Sequence, residues 1–337
     1  MISNIFEFLK FKDRKVASTV CWSWYNASIQ PRFLKKVVIC LKGINKMYDV
    51  LNIYTKSLLP FFAFRILEIG IEDLGNAECS TNQNCWDWVY TIWPLLAPKV
   101  IYLEFIESIE LRDDILPALL NVTQQLKGLK IRDVGYCRGK ILYEVNRIQS
   151  LEELELQYTP ALDVDDKTKM LGIIPKTLRK LCVKSVPKEC EFVINDLINV
   201  IKFCSSHLKS VELFEVGQIY EIMESMVNLN MNLKKFGLHM VDHMDCDRAP
   251  EIILLLLKTQ WPLVDLKLCA YSFTYDHVFA ITNTFKDLEK LSVSGLSERA
   301  FETMAGIDGS SFEALSRLTN SISSLTKLKS LYIGIER

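Results

Sequence analysis

Imidazole chemistry in this sequence must come from four residues, His207, His239, His243 and His277. One stretch gathers potential metal ligands, His239-x-x-x-His243-x-x-Cys246, with Asp242, Asp245 and Asp247 interspersed. On a helix, two imidazoles at this spacing share a face and can hold zinc. A tetrahedral site needs a fourth ligand that the spacing does not supply, so the stretch reads as a polar loop after a strand ending at His239. Asp163, Asp165 and Asp166 imitate the start of a calcium loop but lack its mid-loop glycine and closing glutamate; an acid-rich helix N-terminus fits them better. No GxGxxG, no GxxxxGK with Ser or Thr after it, and no GxSxG occurs, so neither a nucleotide cradle nor a hydrolase elbow has support. Cys21 and Cys40 have no histidine near them in sequence, and thiol catalysis finds no base. A chain that binds rather than reacts is expected, with no catalytic residue, no metal and no cofactor.

Charge points the same way. The 40 Lys and Arg residues balance 41 Asp and Glu, leaving a net charge of -1, so no basic field exists to attract nucleic acid. With 49% hydrophobic and 24% charged residues, the 337-residue chain has ample material for a core, which excludes wholesale disorder. The greasiest run, Ile252 to Leu257, is closed by Lys258 and reads as a buried helix, so no membrane span is expected. Near the N-terminus Glu7 and Lys10 interrupt the apolar residues, and no signal-peptide core forms. Ten cysteines without a CxxC pair read as reduced thiols, which places the chain in the cytosol or nucleus.

The elements that position any binding surface come from an internal repeat. The block Leu-x-x-Φ-x-Φ, with Φ a large apolar residue, recurs eleven times at intervals of 25 to 40 residues. It is clearest in LEELEL (Leu151, Leu154, Leu156) and LRKLCV (Leu178, Leu181, Val183). Its other copies start at Leu34, Phe64, Val100, Leu126, Leu208, Leu233, Leu263, Leu288 and Leu328. Alternation at the fourth to sixth positions predicts a strand of three or four residues with its fourth and sixth positions buried. Between strands, apolar residues at helical spacing predict helices over Cys190 to Cys204, with Leu197, Val200, Ile201 and Cys204 inward, and over Gly217 to Leu229. Strand and helix alternating at near-constant period stack into a solenoid.

This pattern resembles the leucine-rich repeat family over residues 34–337. The resemblance implies an α/β fold with a parallel sheet on the concave face, helices on the convex face and about eleven irregular repeats. The family often places Asn or Cys three residues past the last strand apolar, where this chain has Val134, Thr159, Val186, Val216, Val241 and Tyr271. Buried backbone groups in those turns must be satisfied otherwise, so irregular turns are expected.

Residues 1–33 have a different periodicity. Ile2, Ile5, Phe6 and Leu9 form one helical stripe, and Val16, Val20, Cys21 and Trp24 a second, with a charged turn over Lys10 to Lys15. Ile5, Phe6, Leu9, Asp13, Arg14, Ala17, Ser18, Val20, Cys21, Trp24 and Tyr25, followed by Pro31 and Leu34, resemble an F-box in residue type and order. The family's opening Leu-Pro-acidic turn has no counterpart, so the short all-α module is expected either to be truncated at its N-terminus or to bind the adaptor more weakly. The resemblance implies docking onto the Skp-type adaptor, and through it the cullin, of an SCF ubiquitin ligase. The implied contacts are Leu9, Val20, Cys21, Trp24 and Tyr25. At the other end, the chain is expected either to continue past Arg337 or to leave its last strand frayed.

In each repeat the third, fifth and seventh positions point away from the core and line the inner face. That face is mixed, with Lys130, Arg132, Lys180 and Lys184 alternating with Glu153, Glu155 and Glu212, which suits a protein partner better than a phosphate backbone. Tyr102, Ile106 and Phe214 are its candidate apolar anchors. With Lys130, Arg132, Glu155, Lys184 and Lys267 they make the expected target surface. The function so read is that of a noncatalytic substrate receptor. The alternative is a leucine-rich repeat scaffold or inhibitor that never meets a ligase.

Overall fold

The computed structural model describes residues 2–28, 38–42, 65–70, 87–106, 115–132, 148–157, 175–186, 191–240, 248–297 and 310–336. The His243 to Cys246 stretch and Asp163 to Asp166 lie outside these. The chain divides into two compact units, one of Met1–Glu152 with Ala161–Thr168, the other of Glu153–Pro160 with Lys169–Arg337.

In the first unit, helices α1 (Ile2–Phe8), α2 (Phe11–Ala17) and α3 (Trp22–Ser28) precede four strands. These are β1 (Val38–Lys42), β2 (Arg65–Gly70), β3 (Tyr102–Ile106) and β4 (Gly128–Arg132), and each pairs in parallel with the next. Short helices α4 (Asp87–Thr91), α5 (Trp93–Leu96) and α6 (Ile115–Asn121) lie between strands. Leu103, Phe105, Leu129 and Ile131 are buried, as are Trp93, Ile115 and Leu119 of the helices. The Trp93 indole satisfies its own donor by hydrogen-bonding the Leu119 carbonyl at 3.1 Å, which lets so large a polar-tipped ring sit fully inside. Gly128 is demanded by close approach: a Cβ there would collide with the Tyr102 ring.

The second unit holds β5 (Glu153–Gln157), β6 (Lys180–Val186), β7 (Ser210–Val216), β8 (Lys235–His239), β9 (Asp265–Phe273), β10 (Lys290–Ser297) and β11 (Ser330–Glu336). They pair in parallel in chain order. The LEELEL and LRKLCV segments are thus adjacent rungs, with Leu154 beside Leu181 and Leu156 beside Val183. The ladder continues through Val211, Phe236, Leu266 and Leu291, all buried. From β7 onward each new rung starts on a shared acceptor. The carbonyl of Arg179 takes the N–H groups of Lys209 and Ser210, that of Lys209 takes Lys234 and Lys235, and that of Lys234 takes Val264 and Asp265, all at 2.7–3.0 Å.

Helices α7 (Glu191–Cys204), α8 (Ile219–Val227), α9 (Ala249–Lys258), α10 (Tyr275–Thr284) and α11 (Ser310–Ser323) alternate with these strands. Leu197, Val200, Ile201 and Cys204 face inward on α7, as their spacing predicts. Ile252, Ile253 and Leu256 do the same on α9, while Leu254 points outward. No helix among the described residues is long and apolar enough to cross a membrane.

The strands are longer than the three or four residues expected, running from five to nine. Backbone geometry at the eighth repeat position explains part of this. Ser185, Glu215 and Gly295 all adopt left-handed conformations, at φ 55°, 55° and 83°. Each resets the side-chain alternation, so the following Val186, Val216 or Leu296 turns into the core. Those valines occupy the position where the related pattern carries Asn. In place of an Asn side chain bonded to the turn backbone, the Gly217 N–H donates to the Val186 carbonyl at 2.8 Å, and Ser185 Oγ donates to Glu215 Oε2 at 3.0 Å. The β6 and β7 turns are therefore bridged from rung to rung, whereas β10 shifts register against both β9 and β11 between Ser294 and Leu296, so the turns differ along the chain.

Candidate functional site

Strand alternation places charged side chains of β5 to β10 opposite the core, and neighbouring rungs bring them into contact. Lys184 Nζ lies 2.7 Å from Glu155 Oε1, Lys235 Nζ 2.7 Å from Glu212 Oε1 and Lys180 Nζ 3.6 Å from Glu153 Oε2. Glu155 and Glu212 are buried although they face away from the leucines, because the long stems of flanking lysines cover them. Burial disfavours the Lys235 ammonium, yet its hydrogen bond to Glu212 and the charges of Glu212 and Asp265 outweigh that and hold its pKa above the ordinary lysine value. Burial also pushes the Cys182 thiol, seated between Glu155 and Glu212 on this face, up to about 11, with Glu155 adding to the effect. At that value the thiol is a poor nucleophile.

The predicted target contacts fall into distinct environments. Phe214 is half-buried, with the Lys184 ammonium 5.6 Å above its ring and the His239 imidazole 6.1 Å to its side. Glu155 is sequestered beneath Lys184, whereas Lys267 is exposed. In the first unit, Arg132 Nη1 lies 3.4 Å from the buried Glu104, Lys130 is half-buried and Tyr102 covers Gly128. Ile106 ends β3, but its side chain lies outside the described residues.

The three described histidines are engaged in local structure. His277 caps α10, its Nδ1 accepting the Thr274 N–H at 3.1 Å, and burial lowers its pKa. His207 is exposed beside Ser206, and His239 sits 3.9 Å from Glu215. Among the described residues no three His, Cys, Asp or Glu side chains are gathered to hold a metal.

At the N-terminus, three seven-residue helices enclose a small core. Phe6 and Ala27 are buried at its centre, with Ile2, Ala17 and Trp24 packed around them. Phe6 meets Trp24 edge to face, 5.5 Å between ring centroids. The charged turn expected over Lys10 to Lys15 is instead α2. Phe11 to Ala17 contains no Gly or Pro, its lysines and arginine are good helix formers, and Asp13 lies in the favourable first turn. The break comes later: the N–H groups of Thr19 and Val20 fold back onto the carbonyls of Val16 and Ala17, and α3 starts afresh at Trp22. The second stripe expected over Val16 to Trp24 is thus split between two helices. Trp24 turns inward while Trp22 turns out. Trp22 is 76% exposed, Phe8 87%, and Val16 and Val20 66% each. Bare apolar side chains of this kind on so small a module are typical of protein-interaction sites.

Residues 1–36 match the F-box domain.

An F-box implies binding of a Skp-type adaptor of an SCF ubiquitin ligase. No curated protein matches this sequence. Of the residues the resemblance nominated, Val20 and Cys21 are exposed on the F-box surface, and Leu9 and Tyr25 are half-buried, Tyr25 edge-on to Trp22 at 5.5 Å. Trp24 belongs to the F-box core. Sequence reasoning left Phe8 and Trp22 off both stripes and read Val16 only as a stripe residue; a continuous helical register through Cys21 puts Trp22 off the apolar stripe. Two adjacent tryptophan positions flanking Ser23 were the available signal, since one small module cannot bury both.

Proposed function

We propose that this chain is the target-recognition subunit of an SCF ubiquitin ligase. The F-box helices dock the Skp-type adaptor and, through it, the cullin, while the parallel strands form a leucine-rich repeat solenoid whose inner face holds a protein target. The chain itself performs no chemistry. It raises the local concentration of the target's lysines near a conjugating enzyme, an effect on the order of millimolar for short linkages. Its place of action is the cytosol or nucleus.

The observation that carries this reading is the F-box match over residues 1–36, with Val20 and Trp22 bare on its surface. Support for the receptor half comes from β5 to β11, a run of parallel rungs that sets polar and aromatic side chains on the face opposite the leucine core. Co-expression with a Skp-type adaptor and cullin tests it. The chain is expected to copurify with both, and Val20→Asp to lose both. Purification without adaptor, for this chain and for one extended upstream, would instead favour a scaffold or inhibitor.

A further inference from the structure

The face of β5 to β10 is neutralised unevenly. Glu153, Glu155 and Glu212 are each held by a lysine from the adjacent rung, as described above. Asp265 lies in register between Lys235 and Lys290 and raises the pKa of the former. Lys267 has no such neighbour. Its register partners are Gly237 on one side and Ser292 on the other, both uncharged. Lys267 and Lys290 are exposed, and neither makes an ion pair among the described residues. Beyond Ser292 in the same row stands Tyr332, 59% exposed. With about 4.8 Å between strands and about 3.3 Å per residue along them, Lys267 and Lys290 have Cα atoms roughly 8 Å apart, diagonal neighbours on one surface.

From this we infer that the β9 to β11 part of the face is the docking surface for an acidic peptide segment of the target. The inference rests on the receptor reading above and deepens it. Carboxylates of the segment pair with Lys267 and Lys290, and the Ser292 and Tyr332 hydroxyls donate to them. Charge complementarity selects this occupant: β5 to β8 offer three lysines already committed to three glutamates, whereas β9 and β10 offer two lysines against the single Asp265.

The test uses the full chain on a peptide array graded by acidic-residue content, with the Glu→Gln version of every peptide alongside. Retention is expected to rise with acidic content, to fall in the Gln versions and to weaken as salt is raised. Lys267→Glu and Lys290→Glu should each lower it about threefold and together about tenfold, in keeping with exposed charge pairs. The exposed helical control Lys202→Glu should not. Retention indifferent to acidity, or unmoved by the double reversal, would overturn the inference. So would sedimentation showing a dimer that the double reversal dissolves, because a second copy would then be the occupant. Adaptor binding measured on the same preparations separates the two readings. Adaptor bound with no acidic preference sinks this inference alone, and acidic preference without adaptor sinks the ligase reading alone.

Discussion

The ammonium of Lys184 sits 2.7 Å from a carboxylate oxygen of Glu155, one rung away, and closes over it so that Glu155 is buried on a face with no leucines. Removing the lysine alone takes the ammonium at 2.7 Å away from that buried carboxylate. Lys184→Met is expected to lower the unfolding free energy by about 1–3 kcal/mol, and Glu155→Leu added to it to restore most of the loss. Urea unfolding of the two variants checks this.

Gly295 carries the left-handed backbone at φ 83°, and a Cβ there would collide with the Ala270 carbonyl. Gly295→Ala therefore meets both a strained backbone and a steric clash. A loss of about 2 kcal/mol or more is expected in thermal or urea unfolding. An unchanged midpoint would show that β10 relaxes around the added methyl.

Two F-box substitutions separate folding from docking. Phe6→Ala empties the centre of a three-helix core and is expected to cost about 3–5 kcal/mol, enough to melt the module. Trp22→Asp, at an exposed site, should leave circular dichroism and the thermal unfolding midpoint native-like while adaptor affinity in calorimetry falls at least about tenfold.

Burial raises the thiols of Cys182 and Cys204 from the ordinary 9.0 to about 11 in the folded chain. Between those values the unfolded chain gives up protons that the folded chain keeps, so stability falls as pH rises. Unfolding free energy should be flat with respect to these two groups below pH 9 and decline from pH 9 to 11. Cys182→Ala and Cys204→Ala should each flatten part of that decline. A thiol-specific reagent at neutral pH should label exposed Cys21 and spare both.

The repeat was legible because each rung needs the same buried positions: Leu154, Leu181, Val211, Phe236, Leu266 and Leu291 all fall on one ladder, as their spacing requires. Alternation also told which side Glu155, Lys184 and Lys267 occupy. It could not tell that Lys184 would cover Glu155 while Lys267 stayed bare, because coverage depends on what stands at the same height one rung away. The left-handed turns at Ser185 and Glu215 left no trace in sequence, since neither residue is glycine. In the F-box, the break after Ala17 rests on backbone hydrogen bonds from Thr19 and Val20 rather than on Gly or Pro, so a single register through Trp24 looked natural.

Hydrogen–deuterium exchange of the full chain, with and without a Skp-type adaptor, tests the central claim most directly. Adaptor-dependent protection is expected over Phe8 to Trp22, with β5 to β11 unchanged and so left open for a target. Protection on the strands, or none in the three helices, would contradict the account.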